Sequence, residues 1–185
     1  MSDSIAWLGV GVGWAREEFD ATGADFSDRG KRTDEAIAAM RALWNQDVSS
    51  FAGTFNRFAD AYCYPKPARP GGVPVLIGGE SKAAMRRVAQ LGNGWLPYNL
   101  PVGQAANLIT ELKTMTRSAD RDPEELRIIK IVYSNARLDD LKRYRDAGVT
   151  EFNVASSGEI PTDNIGIESK FDEWHERIVD PIAAL

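Results

Sequence analysis

Apolar residues along the chain fall into two alternating patterns. Short apolar runs of strand length end in glycine, and longer stretches repeat apolar residues at helical spacing. Residues 5–13 (Ile-Ala-Trp-Leu-Gly-Val-Gly-Val-Gly) and Val73–Ile77 lack polar alternation, as strands covered on both faces do. Further strands are predicted at Gly94–Tyr98, Leu126–Tyr133 and Glu151–Ala155. Residues 15–28 are polar and predict loop or a short helix, and Thr33, Ile37, Met40 and Trp44 predict a helix over Arg29–Trp44. Ser81 is placed to cap a helix carrying Ala84, Met85, Val88 and Leu91, with Gly92 at its C′ position. Helices follow over Val102–Met115, with Ala105, Leu108, Ile109 and Leu112 inward, and over Leu138–Ala147, stopped by Gly148. A loop rich in Ser, Gly and Asp precedes a last helix bearing Phe171, Trp174 and Ile178.

Residues 48–72 break this rhythm. Phe51, Gly53, Phe55, Phe58 and Tyr62 predict a hairpin, and Pro65, Pro67, Pro70 and Pro74 with Gly71 and Gly72 predict its connection. The α/β alternation resumes beyond, so the segment reads as an insertion within one domain spanning residues 1–185. Strict alternation implies parallel strands and right-handed crossovers. Two architectures satisfy it, a doubly wound open sheet and part of a (β/α)8 barrel. A closed barrel needs about 250 residues, and the chain has 185, so about five barrel units fit.

Composition narrows the function classes. With a net charge of -5 and scattered Lys and Arg, the chain lacks the clustered cations of a nucleic-acid partner. No apolar run predicts a membrane span, and Met1–Ser4 does not start a signal peptide, so a cytoplasmic chain is expected. One cysteine, Cys63, and one histidine, His175, are too few for a disulfide or an ordinary zinc site. Neither has a neighbour that would make it a catalyst, and Glu17 and Glu18 read as solvated loop charge. No catalytic residue is assigned.

The candidate chemistry lies at two glycine-rich strand ends, Gly9-Val10-Gly11-Val12-Gly13 and Gly78-Gly79-Glu80-Ser81. Ligands of parallel α/β folds bind at the carboxyl ends of strands. Glycine there admits a ligand to the backbone, and a following helix N-terminus offers N–H groups to a phosphate. The competing reading is geometric, with glycines that permit tight turns or close helix–strand packing. Trp14, Trp95 and Tyr98 follow or end strands, where they could wall a planar ligand or belong to the core.

Four ordered features bring a family into view. They are Leu8–Trp14 followed by Glu18-Phe19; Phe26-x-x-Arg29 leading to Asp34-Glu35-Ala36-Ile37 and Leu43-Trp44; Phe51-x-Gly53 with Phe55, then Pro65-Lys66-Pro67; and Pro74–Gly79-x-Ser81 with Ala89 and Gly94-Trp95. Together they resemble the luciferase-like flavin and deazaflavin monooxygenases and reductases. The resemblance implies a (β/α)8 barrel of which residues 5–13 match the fourth strand, 48–72 the insertion, Val73–Ile77 the fifth strand and 151–155 the eighth, with the first three units not represented. It implies cofactor binding by Gly11, Gly13, Trp14, Gly78, Gly79 and Ser81, and no metal. It implies hydride transfer between coenzyme F420, or alternatively FMN, and a small organic substrate. Trp14 stands where some deazaflavin enzymes carry an acid, so that acid is not carried over. A chain of five units is expected to be inactive alone and to need self-association or a complementing chain. The rival expectation is a non-catalytic remnant or phosphate-binding module.

Overall fold

The computed structural model describes residues 6–156, 158 and 163–184. Five strands form one sheet: β1 (Leu8–Val10), β4 (Val75–Gly78), β5 (Gly94–Leu96), β6 (Arg127–Tyr133) and β7 (Glu151–Ala155), in that order and parallel throughout. β2 (Ser49–Ala52) and β3 (Arg57–Ala61) pair antiparallel as a separate hairpin. The helices are α1 (Arg16–Thr22), α2 (Arg29–Asn45), α3 (Lys82–Leu91), α4 (Val102–Arg117), α5 (Leu138–Asp146), α6 (Asn164–Trp174) and α7 (Asp180–Ala183). A π-helical turn, His175–Val179, joins the last two.

The strand order decides between the two architectures. A doubly wound sheet reverses its order at a switch point, whereas here each strand of the sheet lies beside the one before it. Right-handed crossovers then put the connecting helices on one face. In agreement, α2 packs on α3, α3 on α4, and α4 on α5. This is the winding of a barrel, and the open doubly wound alternative is set aside.

Side chains alternate between the faces of each strand. Val75, Ile77, Trp95 and Ile128 join Met85, Val88, Ala105, Ile109 and Leu112 in the core between sheet and helices. The alternate positions Gly9, Gly78 and Gly94 leave much of the opposite face to bare backbone. Glycine is required at position 94, where a Cβ would lie 2.6 Å from both the Arg127 carbonyl and a Leu76 methyl. At the amino-terminal end, Arg127 pairs with Glu151 at 3.1 Å and lies 4.6 Å from the Trp7 ring centroid.

Several elements are shorter than their apolar patterns. β1 spans three residues of the nine predicted, with Gly9 paired to Leu76 and the pairing ending at Val10, ahead of Gly11 and Gly13. Ser81 does cap α3, its hydroxyl accepting from Ala84 N at 3.1 Å. Gly92 is not the left-handed cap expected, since its φ is -80°. The Arg121 guanidinium instead donates to the carbonyls of Val88, Ala89 and Gly92, at 3.1, 2.8 and 2.6 Å, and so closes the helix end. Glycine is retained at 92 because a Cβ would press at 3.1 Å on Ile77 and Val88. Of the apolar residues of the last helical stretch, Phe171 is 51% exposed, while Ile178 packs with Val132 and Leu141. Of the loop before the last helix, residues 157 and 159–162 lie outside the described ones.

The hairpin is tied to α2 by one carboxylate. Glu35 accepts from the backbone N–H groups of Thr54, Phe55 and Asn56 at 2.7, 2.7 and 2.5 Å. A Cβ at Gly53 would come within 2.3 Å of that carboxylate and displace it. Phe51 stacks on Phe58 across the strands, with ring centroids 5.9 Å apart. Desolvation raises the Glu35 pKa, but the N–H groups of Asn56, Phe55 and Thr54 outweigh it, leaving it below the ordinary glutamate value. A depressed pKa stabilises the folded state above the unfolded value of about 4.3, and that gain is lost as pH falls through the folded value. Glu35→Ala is therefore expected to speed hydrogen exchange at Thr54, Phe55 and Asn56 at neutral pH. Relative to this variant, the wild-type protection should fade on acidification below about pH 4.3; a pH-independent difference would contradict the assignment.

Candidate functional site

The first loop of the site is set by aromatic packing. Gly13 has φ of +81°, a left-handed conformation that favours glycine, and a Cβ there would lie 2.7 Å from the Phe19 ring. Phe19 meets Phe26 edge-to-face at 5.2 Å. Arg16 and Arg29 lie over Phe26 at 4.5 and 3.7 Å from its centroid. These contacts turn the chain sharply out of β1 into α1 and leave Trp14 facing outward.

A buried indole sets the second loop. Trp95 is 0% exposed on the helix side of β5, and its Nε1–H donates to the Gly79 carbonyl at 2.8 Å. Gly79 has φ of +94°, so the bond fixes a turn that favours glycine. The next residue, Glu80, accepts from Asn99 N through Oε1 at 2.6 Å, joining the loop after β4 to the loop after β5. α3 then starts at once with no acidic residue in its first turn. Helix geometry leaves the Lys82 and Ala83 N–H groups without intrahelical acceptors. The Ser81 hydroxyl, accepting from Ala84 N, keeps its proton to donate.

Between these loops lies a cleft of about 610 Å³, lined by Gly11, Val12, Gly13, Trp14, Gly78, Gly79, Glu80, Leu96 and Tyr98. That volume is in the ordinary range for small-molecule sites. Trp14 is 87% and Tyr98 86% exposed, so both rings are free to cover a ligand. The space beside Gly9 and Gly11 is open, with nothing within 4 Å of an added Cβ at either. They are therefore not spacers for helix–strand packing, which was the rival reading of that glycine run.

Of the residues singled out in the sequence, Gly11, Gly13, Trp14, Gly78 and Gly79 line this one cleft, and Ser81 stands beside it at the start of α3. Trp95, a possible wall, belongs to the core instead and acts on the cleft only through Gly79. His175 is exposed, its ring nitrogen 3.0 Å from the Phe171 carbonyl, and Cys63 and Glu17 do not line the cleft. Glu80 was missed, although it stands between the two glycines and the cap of the quoted turn; a carboxylate at the end of a parallel strand was the available signal. Lys130 on β6 feels its charge. Burial pushes the Lys130 ammonium down in pKa, and the Glu80 charge pulls it back up. Among the described residues no group of His, Cys, Asp and Glu side chains could hold a metal, and no helix is long and apolar enough to cross a membrane.

The two kinds of glycine should respond differently to substitution. Gly11→Val places its side chain in open space at a φ that L residues adopt, and should change stability by less than about 0.5 kcal/mol. Gly79→Ala forces a left-handed alanine and should cost about 1–2 kcal/mol. Trp95→Phe, which leaves the Gly79 carbonyl without its donor, should cost about 1–3 kcal/mol. Urea unfolding of the three variants checks the order; equal losses at Gly11 and Gly79 would contradict it.

Known proteins place this geometry. The family model for luciferase-like monooxygenases matches residues 4–151. An uncharacterised protein of Mycobacterium tuberculosis strain H37Rv is 33% identical over 148 residues, which are 80% of this chain and 50% of that protein. The F420-dependent glucose-6-phosphate dehydrogenase of Gordonia bronchialis is 32% identical over 137 residues, 69% of this chain and 39% of that enzyme. The chain thus spans about half the length of the first of these relatives. Among solved structures, an F420-dependent secondary alcohol dehydrogenase bound to an F420-acetone adduct superposes with a TM-score of 0.78 at 17% identity, covering 98% of this chain and 71% of that one. The F420-dependent tetrahydromethanopterin reductase of Methanopyrus kandleri superposes with a TM-score of 0.69 at 11% identity, covering 95% of this chain and 74% of that one. These two likenesses concern the fold, which is that of a partial TIM-type barrel. Strand order, glycine-floored cleft and family match agree, and the chain belongs to the luciferase-like monooxygenase family.

Proposed function

We propose that this protein is a flavin- or deazaflavin-dependent oxidoreductase that moves a hydride between its cofactor and a small organic substrate, with coenzyme F420 as the cofactor and FMN as the alternative. The observation that carries the proposal is the cleft at the carboxyl ends of β1, β4 and β5, floored by glycine backbone and walled by Trp14 and Tyr98. F420-dependent relatives favour the deazaflavin.

The residues present fit such a group. Gly11, Gly78 and Gly79 leave room for a chain of atoms against the backbone. The Ser81 hydroxyl and the Lys82 and Ala83 N–H groups suit a phosphate at the N-terminus of α3, where the dipole favours negative charge. Trp14 and Tyr98 offer apolar faces to a planar ring. The bound cofactor supplies the redox chemistry, and the protein's part is to bind, orient and shield.

Five strands cover only part of the ring. β1 and β7 each keep one edge without a strand among the described residues, and unpaired edges invite pairing. Turnover accordingly requires further βα units, from a longer polypeptide or a complementing chain. The chain by itself binds the cofactor and does not turn over.

Fluorescence titration of the purified chain with F420 and, separately, FMN tests the reading. Saturable binding of one identifies the branch, and Gly11→Val should weaken it at least tenfold while the fold is retained. A folded, monodisperse sample that binds neither would contradict the proposal.

A further inference from the structure

A second groove lies between α2 and α3 and shares no lining residue with the cleft. Its volume is about 460 Å³, within the range of small-molecule sites, and its charged lining is Lys31 and Asp34 of α2 with Arg86 and Arg87 of α3. Ala83, Arg86, Arg87 and Gln90 recur three and four residues apart, so they form one stripe of α3. Arg87 is the buried member, only 7% exposed. Its Nε is ion-paired with Asp34 Oδ1, and its Nη2 donates to Asp34 Oδ2 and to the Gly30 carbonyl, both at 3.2 Å. Gly30 makes room for this, since a Cβ there would stand 3.0 Å from Nη2. Nη1 is left without a hydrogen-bond acceptor among the described residues. Lys31 and Arg86 are exposed, and neither side chain pairs with a described residue.

Three cations thus meet one carboxylate, which Arg87 already engages. Two positive charges stay uncompensated in one groove of a chain whose net charge is -5. Like charges gathered from two walls repel unless an anion stands between them. A guanidinium fork is matched to phosphate oxygens, and an ammonium adds a point charge. We propose that this groove is a second binding site, separate from the cleft, that takes the phosphoryl group of a small phosphate ester or of free phosphate. Lys31 and Arg86 hold the phosphoryl oxygens from the two helices, and Arg87, fixed by Asp34 and Gly30, supplies Nη1. The Gln90 amide, one turn beyond Arg86, serves the remainder of the ligand. The site is independent of which cofactor the cleft binds.

Inorganic phosphate and glycerol phosphate are titrated separately into the isotopically labelled chain at low salt, with potassium chloride at matched ionic strength as control. At least one phosphate is expected to shift the amides of Lys31, Arg86 and Gln90 and the Arg87 Nε–H saturably, while chloride does not. The tighter of the two names the source of the phosphoryl group. Lys31→Gln and Arg86→Gln each remove an exposed charge and leave the Arg87–Asp34 pair intact, so the fold is retained. Each is expected to weaken binding about fivefold. Shifts no different from those of chloride, saturation confined to Gly79 and Lys82 at the cleft, or affinities unchanged in both variants would each overturn the proposal.

Discussion

The site depends on one hydrogen bond from the core. Trp95 is sealed between sheet and helices and donates its indole N–H to the Gly79 carbonyl in the turn after β4. A buried indole N–H left unpaired is costly, so the core cannot pack well unless the Gly78-Gly79 turn is in place. The turn in turn fixes where Glu80 and Ser81 stand. Core stability and site geometry are thus one constraint, and substitutions in the turn act on both.

The two ends of the sheet's inner face do different work. At the amino-terminal end, Trp7, Arg127 and Glu151 meet in an ion pair and a cation–aromatic contact. Toward the carboxyl end, Gly9 and Gly11 leave it open. Side-chain contacts at the base and bare glycine backbone toward the top match the general division of such folds into a stabilising end and a ligand end. The aromatic staple of Phe19, Phe26, Arg16 and Arg29 serves the bare end, since it holds the β1 loop open without placing a side chain in the cleft.

Much of this was legible in the sequence because glycines and apolar periods report backbone events. Ser81 as a cap, Gly78-Gly79 as a strand stop and the hairpin around Phe51 and Phe58 all follow from local pattern. Contacts between residues far apart in sequence were not legible. Glu35 stands in the sequence only as one landmark of a helix, yet it holds the turn of a hairpin about 20 positions on. Arg121 lies in a polar stretch between α4 and β6 that carries no pattern, yet it closes the end of α3. Trp95 and Tyr98 have equivalent strand-end positions in the sequence, but strand alternation and the chain's exit from β5 send one into the core and the other to solvent. Glu80 escaped because its importance lies in the Asn99 backbone, which local pattern does not reveal.

The most direct test of the central claim is an amide chemical-shift map of the isotopically labelled chain during titration with F420 and with FMN. The account predicts that saturation moves the amides of Gly11, Gly13, Gly79, Lys82 and Ala83 and the Trp14 indole, with the β2–β3 hairpin unmoved. Shifts confined to the hairpin or the outer faces of the helices, with those amides unchanged, would contradict it.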